Sequence, residues 1–574
     1  MQLTGPEHPG LTSGSNILAG KTNIKNFRDG KPVRSRAVFI SILLIMTGFV
    51  SAGSAETGKT AVWASESGVP VEYLIHISVD GMRPDAVTTL GPLNLPNFFR
   101  MRVEGAITDN ARADYDITVT LPNHICMVTG RGVLGPDGHG VDFNFDDGST
   151  VAETHGSYVA CVFDVVSDYG LKTAMYATKE KFALIDRSWN ELNGAADTVG
   201  TDDGFDKIDR YIYQVDIVSL TDSLLSAMAS GIYSYNFLHY GDPDVAGHLD
   251  GWNSIEYFNA VKDIDIQIGR IFDLIGSDPI FQGRTAVILT SDHGGFGFDH
   301  SDPAIPENYT VPMYVWGPDV PAGADLYLMN IPSRQAPGET RPDYQSEPQP
   351  IRNAGTGNLA LDLLGLPAIP GSSVNAEQDL FVYPDGDDLP VIAITSPENG
   401  ATYSFLDTAR FEVDVSVISG AIEKVEFFSN WIKLGEDATW PYTFDWNGLP
   451  IGDYVITARA VKDTGIGAAA NISIEVFSIQ TDAKDDPIPK APLTVYPNPF
   501  SGSTRIDYST DRSERVTFSV YDLAGRRVGF QPLGLRERGS HSVYFNASGL
   551  QPGVYFYRMQ TGVSIETGKL MIIR

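Results

Sequence analysis

Three apolar runs between residues 73 and 292 each stop on or just short of an aspartate: "YLIHISVD" at Asp80, "YNFLHYGDPD" reaching Asp244, and "TAVILTSD" at Asp292. Short apolar runs of this length read as strands buried on both faces. Between the second and third lies "GWNSIEYFNAVKDIDIQIGRIFDLIG", whose apolar residues recur at helical spacing. Strands interleaved with helices, with "KTAMYAT" as a further strand, specify an α/β class with a central, mostly parallel sheet. In such sheets ligands collect beyond the carboxyl ends of the strands, where the three aspartates fall.

This texture runs from about residue 57 to 385 and ends at "DGDDLP". From 389 to 479, "RFEVDVSV", "KVEFFSN" and "DYVITARAV" alternate apolar and polar residues between Gly, Asn, Asp and Pro, the pattern of a small all-β sandwich. A second acidic, Pro-rich linker, "TDAKDDPIPKAPL", leads into a last all-β block over 492–574. With 574 residues the chain has room for a large core and two satellites.

Residues 1–55 read as a leader. Lys31, Arg34 and Arg36 precede an apolar run from Ala37 to Val50, and small residues end at Ala55, the three parts of a secretory signal peptide. The run is shorter than the ~20 residues of a membrane span, so removal near Ala55, export and a mature chain without a transmembrane segment are expected. The stretch before Lys31 is long for such a leader, which leaves the start codon open. A net charge of −31 argues against a nucleic-acid duplex as partner, since phosphate backbones are bound by excess Lys and Arg. The two cysteines, Cys126 and Cys161, allow one bridge or two free thiols.

Around the aspartates stand the residue types of a metal site. Asp244 and His248 are four apart, so one helical turn brings them to the same point. "TSDHGGFGFDH" adds His293 beside Asp292 and His300 a few residues on. Taken singly, each reads as readily as a hydrogen-bonded turn; together, three carboxylates and three imidazoles are a donor set suited to zinc. In "TLPNH", Pro122 fits the first turn of a helix and puts the Thr120 hydroxyl at its N-terminus, where it would either cap the helix or face an anion.

The ordered series "VDGMRPD", "TLPNH", "GHGVDFN", "DPDVAGH", "TSDHGG" and "VPMYVWGP" resembles the alkaline phosphatase superfamily, in particular its type I phosphodiesterase and nucleotide pyrophosphatase group. The resemblance implies an alkaline-phosphatase-like core with two zinc ions and a small phosphate-ester substrate. One zinc would be held by Asp244, His248 and His300, and the other by Asp80, Asp292 and His293. Thr120 would be both ligand and nucleophile, through a phosphothreonine intermediate, and Asn123 a contact to a phosphoryl oxygen. "ATKEKF" resembles the lysine pair of phosphonoacetate hydrolase, which implies that Lys179 and Lys181 bind an anionic group of the substrate; exposed lysines at a helix start are equally often solvated charge. A phosphomonoesterase or phosphonate hydrolase is the alternative within the superfamily. A sulfatase is disfavoured, since "TLPNH" lacks the CxPxR setting of its nucleophile.

"ITSPENGATY" and "IEKVEFFSNWIKLGE" resemble bacterial Ig-like domains, which implies a spacer or a cell-surface or polysaccharide contact. "VYPNPFSGSTRIDYS" and "GLQPGVYFYRMQTG" resemble the C-terminal sorting domain of the type IX secretion system. That implies the type IX machinery as partner and a secreted or cell-surface location. A reading of another class, an adhesion protein with an inert hydrolase domain, sits poorly with a complete set of ligands and a nucleophile.

Overall fold

The computed structural model describes residues 71–201, 204–383, 389–477, 493–510, 512–521, 527–547, 550–561 and 564–573. The leader, with Lys31, Arg34, Arg36 and Ala55, lies outside the described residues.

The first domain is built on eight strands: β1 (Tyr73–Val79), β2 (Ala106–Arg112), β3 (Lys172–Ala177), β4 (Arg210–Tyr213), β5 (Tyr233–Tyr240), β6 (Thr285–Thr290), β7 (Thr310–Trp316) and β8 (Ala324–Asp325). They form one sheet in the order β4-β3-β5-β1-β6-β7-β2-β8. Only β7 runs against the rest, pairing antiparallel with β6 and β2. The expected mostly parallel sheet is thus what the chain forms. β1 and β6 are buried along their whole length because helices cover both faces. Successive residues alternate between two cores: Leu74, Ala286 and Ile288 enter one, and Ile75, Ile77, Val79, Val287 and Leu289 the other.

Four helices position the site and the contact between domains. α1 (Pro96–Glu104) and α4 (Ile255–Ser277) lie together on one face. α2 (Thr120–Thr129) is buried throughout, and α3 (Asp242–Asp250) follows β5 directly. Asp265 of α4 accepts from the Asn97 and Phe98 N–H groups at 2.9 and 2.8 Å, satisfying two donors that the start of α1 leaves open. Cys126 and Cys161 are both buried and free.

Residues 391–477 form a five-stranded and a three-stranded sheet packed around Phe411, Phe427 and Ile456, and the described strands between 494 and 572 form a three-stranded and a four-stranded sheet. The first of these all-β domains is docked on the α/β domain. The turn between strands Ile422–Ser429 and Ile432–Asp437 places Asn430 and Trp431 at positive φ, as a tight hairpin requires. The Trp431 indole N–H donates to Glu104 Oε1 at 2.9 Å, and the Asn471 amide donates to the same oxygen at 3.0 Å. Glu104 Oε2 accepts from Trp316 and from Arg100, both at 3.0 Å. One carboxylate at the end of α1 therefore satisfies donors from both domains. A Glu104→Ala substitution strands several of them and is expected to cost about 2–4 kcal/mol in urea denaturation of the full chain.

Within the same sandwich, Glu426 is ringed by Lys433 at 2.6 Å, Arg459 at 2.9 Å and Lys424 at 3.2 Å. Burial presses its pKa upward, but Lys433 and Arg459 outweigh this and hold it at about 2, against an ordinary 4.5. A depressed folded-state pKa gives stabilisation that is complete above the ordinary value and lost as pH falls through the folded one. The melting temperature of this domain is therefore expected to fall between pH 4.5 and 2, and Glu426→Gln to remove that part of the slope.

Candidate metal centre

Beyond the carboxyl ends of the neighbouring strands β5, β1 and β6 the three aspartates converge. Asp80 follows β1 directly, Asp292 lies two residues past β6, and Asp244 is in the first turn of α3. Gly81, at φ +70°, turns the chain away from Asp80; a Cβ there would lie 3.0 Å from the Asp244 backbone, so glycine is what lets the two loops close on each other. Gly295 has a similar part: a Cβ would run into the Trp252 ring, whose indole N–H holds the Gly81 carbonyl at 2.8 Å.

Each aspartate has one oxygen tied outward and one left over. Asp80 Oδ2 accepts from His239 Nε2 at 2.9 Å and from Lys179 at 2.6 Å, Asp244 Oδ2 accepts from Lys179 at 2.5 Å, and Asp292 Oδ1 accepts from the Gly81 N–H at 3.1 Å. The other oxygens, Asp80 Oδ1, Asp244 Oδ1 and Asp292 Oδ2, are buried without a hydrogen-bond donor. Buried carboxylate oxygens are costly to leave so.

The histidines complete the pattern. His248 Nδ1 lies 2.9 Å from the Phe298 carbonyl, His293 Nδ1 2.8 Å from that of Gly294, and His300 Nδ1 2.6 Å from that of Thr118. A carbonyl only accepts, so each Nδ1 carries the proton and each Nε2 presents a lone pair. His248 Nε2 and His300 Nε2 face each other at 3.0 Å, each 3.4 Å from Asp244 Oδ1. Two lone pairs and an unsatisfied carboxylate oxygen are brought together only at a cost, unless a cation sits among them. His293 Nε2 lies 3.1 Å from Asp292 Oδ2, 3.5 Å from Asp80 Oδ1 and 3.5 Å from Thr120 Oγ1. Tetrahedral bonds of ~2.0–2.1 Å set ligand atoms about 3.3 Å apart, so the spacing within each group fits a bound metal ion. The rings of His293 and His300 stack at 3.6 Å, which sets the two groups side by side and puts His293 within reach of either. It lies nearest Asp80 and Asp292, at 3.5 and 3.1 Å.

The charges are strongly coupled. Burial raises the Asp80 pKa, but Lys179, then His239 and His293, pull it well below the usual carboxylate range. Burial and then the Asp80 charge push Asp292 well above that range. Burial lowers His293 and His300, favouring the neutral ring that a metal requires.

Thr120 is the first residue of α2, and its side chain makes no cap; the N-cap position is Val119. The capping alternative for this hydroxyl therefore falls away. Its backbone is fixed from below, where His124 Nδ1 donates to the Thr120 carbonyl at 2.7 Å and Ser78 donates to His124 Nε2 at 2.8 Å.

Asn123 is a correction. Its Oδ1 accepts from the Asp114 N–H at 2.9 Å and the Asn353 amide at 3.4 Å, and its Nδ2 donates to the Ile117 and Val119 carbonyls at 2.7 and 3.1 Å. Both N–H donors of this buried amide are used in holding the loop before α2, so none is left for a phosphoryl oxygen, which only accepts. Asn144, from "GHGVDFN", stands at the site instead: its Oδ1 accepts from the Leu121 N–H at 2.9 Å and from Lys181 Nζ at 3.0 Å. Lys181 thus lies beside the start of α2, whereas Lys179 spends two of its three N–H donors on Asp80 and Asp244. Asn144, His124 and His239 carry no local sequence signal that singles them out: Asn144 lies in a loop without periodicity, and the two histidines lie inside apolar runs.

Fold and site together define an α/β domain with two adjoining groups of metal-type ligands around one hydroxyl. Residues 74–306 match the sequence model of the type I phosphodiesterase / nucleotide pyrophosphatase family, residues 390–458 that of the bacterial Ig domain, and residues 494–573 that of the secretion system C-terminal sorting domain. The α/β region thus carries a type I phosphodiesterase / nucleotide pyrophosphatase domain, and an Ig domain and a sorting domain follow it.

Among curated proteins, GPI ethanolamine phosphate transferase 1 of Neurospora crassa is 35% identical over 102 residues, covering 18% of this chain and 10% of that protein. The 2,3-bisphosphoglycerate-independent phosphoglycerate mutase of a Synechocystis species is 28% identical over 143 residues, covering 23% and 24%. The chain thus spans a tenth to a quarter of these relatives. Among solved structures, murine ectonucleotide pyrophosphatase / phosphodiesterase 5 aligns over 52% of this chain and 96% of its own, at 15% identity and a TM-score of 0.36. A protein of the alkaline phosphatase superfamily from Vibrio parahaemolyticus aligns over 73% and 85%, at 12% identity and a TM-score of 0.38.

Proposed function

We propose that the chain is an exported, zinc-dependent hydrolase of phosphate esters, acting on phosphodiester or nucleotide pyrophosphate bonds. The observation that carries the reading is the set of three buried carboxylate oxygens without donors, each facing imidazole lone pairs. Asp244, His248 and His300 would hold one ion, and Asp80, Asp292, His293 and Thr120 the other. Bound there, two zinc ions would supply charge stabilisation for the threonine alkoxide and for the departing oxygen.

The protein's own groups do the rest. Thr120 Oγ1, held by the His124 contact to its carbonyl, attacks phosphorus; the Oγ1–P bond forms as the bond from phosphorus to the leaving oxygen breaks. Asn144 and Lys181, at the start of α2, contact the non-bridging oxygens, and water later releases the phosphothreonine. Preorganised charge is what phosphoryl transfer chiefly needs.

Lys181 beside Asn144 also favours a second reading within the superfamily, a phosphomonoesterase or phosphonate hydrolase, because its charge matches an additional anionic oxygen. Turnover of bis-p-nitrophenyl phosphate and p-nitrophenyl phosphate, with and without chelator, tests both readings. Chelator-sensitive diester hydrolysis is expected; preference for the monoester moves the assignment to the second reading, and turnover insensitive to chelator removes the zinc mechanism.

Export is supported by the sorting domain and by the leader's signal pattern, and implies the type IX machinery as a partner. Among the described residues no helix is long and apolar enough to cross a membrane. The Ig domain, docked through Glu104, leaves its outer surface for a cell-surface or polysaccharide contact.

A further inference from the structure

Lys179 ties the two ligand groups together. It follows β3, on the loop that leads into the short helical turn Glu180–Phe182, and its side chain is 14% exposed. Its ammonium reaches one carboxylate of each group: Asp80 Oδ2 at 2.6 Å and Asp244 Oδ2 at 2.5 Å. Those are the outer oxygens. The inner ones, Asp80 Oδ1 and Asp244 Oδ1, have no donor and face the histidines of the second and first group. A carboxylate held by one oxygen cannot rotate freely, so a single cation on both outer oxygens sets the direction of both inner ones. His239 adds a neutral donor on Asp80 Oδ2, fixed through its Nδ1, which accepts from the Thr178 N–H at 3.3 Å. Lys181, two residues on, bonds Asn144 instead and touches neither aspartate.

Resting on the two-centre reading of this site, we propose that Lys179 is a positioning residue shared by both centres. It is a fixed countercharge that clamps the outer oxygens of Asp80 and Asp244 and directs their inner oxygens to the two ions, rather than a ligand of the substrate. Were Nζ to turn to a substrate anion, two buried carboxylates would lose their cation, a costly exchange. The clamp acts whether or not ions are bound, because it uses only the oxygens that face away from them.

The test is thermal melting of the full chain after exhaustive chelation, for native protein, Lys179→Met, Lys181→Met and the double variant Lys179→Met/Asp244→Asn. Lys179→Met is expected to lower the melting temperature of the metal-depleted α/β domain by about 5 °C or more. Lys181→Met should leave it in place, and Asp244→Asn should restore much of the loss by removing one uncompensated charge. If Lys179→Met does not fold, recovery of folded protein in the double variant carries the proposal, and failure of the double variant overturns it. The visible absorption of cobalt-loaded protein reports ligand geometry and should change in Lys179→Met. A Lys179→Met protein with native melting and a native cobalt spectrum, altered only in KM, would make this lysine a substrate ligand and sink the clamp. The melts are read without metal, so they stand apart from the hydrolase reading: a Lys179-dependent melt in a protein without zinc-dependent turnover would remove that reading and keep the clamp.

Discussion

The Thr120→Ala protein is expected to fold, to bind as much zinc as the native chain and to hydrolyse phosphate esters roughly 10⁴-fold more slowly or worse. The fold has little stake in this hydroxyl. It makes no cap to α2, the Leu121 N–H at the helix start is satisfied by Asn144 Oδ1, and the contact between His124 and residue 120 is to the backbone carbonyl, which alanine keeps. Asp80, Asp292 and His293 remain to hold the neighbouring ion. What alanine removes is the one hydroxyl oxygen set 3.5 Å from His293 Nε2 at the edge of that group, and with it the atom that would bond to phosphorus. The variant separates catalysis from structure: melting temperature and zinc per chain should match the native protein while kcat collapses, and Thr120→Ser should recover a large part of the rate. Undiminished turnover by Thr120→Ala would take the nucleophile from Thr120 and return that hydroxyl to an incidental place on the helix.

Which parts of this site the sequence discloses depends on how locally each is determined. Asp80 and Asp292 can be placed because a buried parallel strand has an unmistakable pattern and its carboxyl end is a defined position. Asp244 and His248 emerge from helical spacing, and α3 gives them that spacing. Asn123 rests on the resemblance alone, and there the carry-over misleads. It stands three residues after Thr120 in "TLPNH", close in sequence, but the loop before α2 folds back to use both of its amide donors. Asn144 is remote in sequence and reaches the helix start only through tertiary folding. Lys179 is visible as a charge near a strand end, but which partner it meets depends on how β1, β3 and α3 pack, which no local pattern encodes. The docking of the Ig domain is hidden likewise: strand alternation identifies a sandwich, whereas a Glu104 that serves Trp316 and Trp431 at once exists only when two domains meet.

His300→Ala is expected to lower bound zinc from two ions per chain to one and to cut turnover by about 10³-fold or more, the several kcal/mol that a metal contributes at a transition state taken at 1.36 kcal/mol per factor of ten. Within the first ligand group His300 is the imidazole with the firmest support. It is buried, with Nδ1 donating to the Thr118 carbonyl at 2.6 Å and Thr118 Oγ1 donating back to the His300 carbonyl at 2.5 Å, so both ring and backbone are anchored to the segment that leads into Thr120. His248, by contrast, has a side chain 42% exposed. With His300 gone, Asp244 and the exposed His248 are left as a two-ligand site, too few for a closed or catalytic zinc centre. Asp80, Asp292 and His293 are untouched, so the second ion should stay, and elemental analysis after gel filtration distinguishes one ion from two. Because the histidine sits in the same "TSDHGGFGFDH" loop as Asp292 and His293, its removal also tests whether that loop serves both centres. Two ions retained per chain would take His300 out of the ligand set. His293, already within reach of either group, would then be the imidazole completing the site at Asp244.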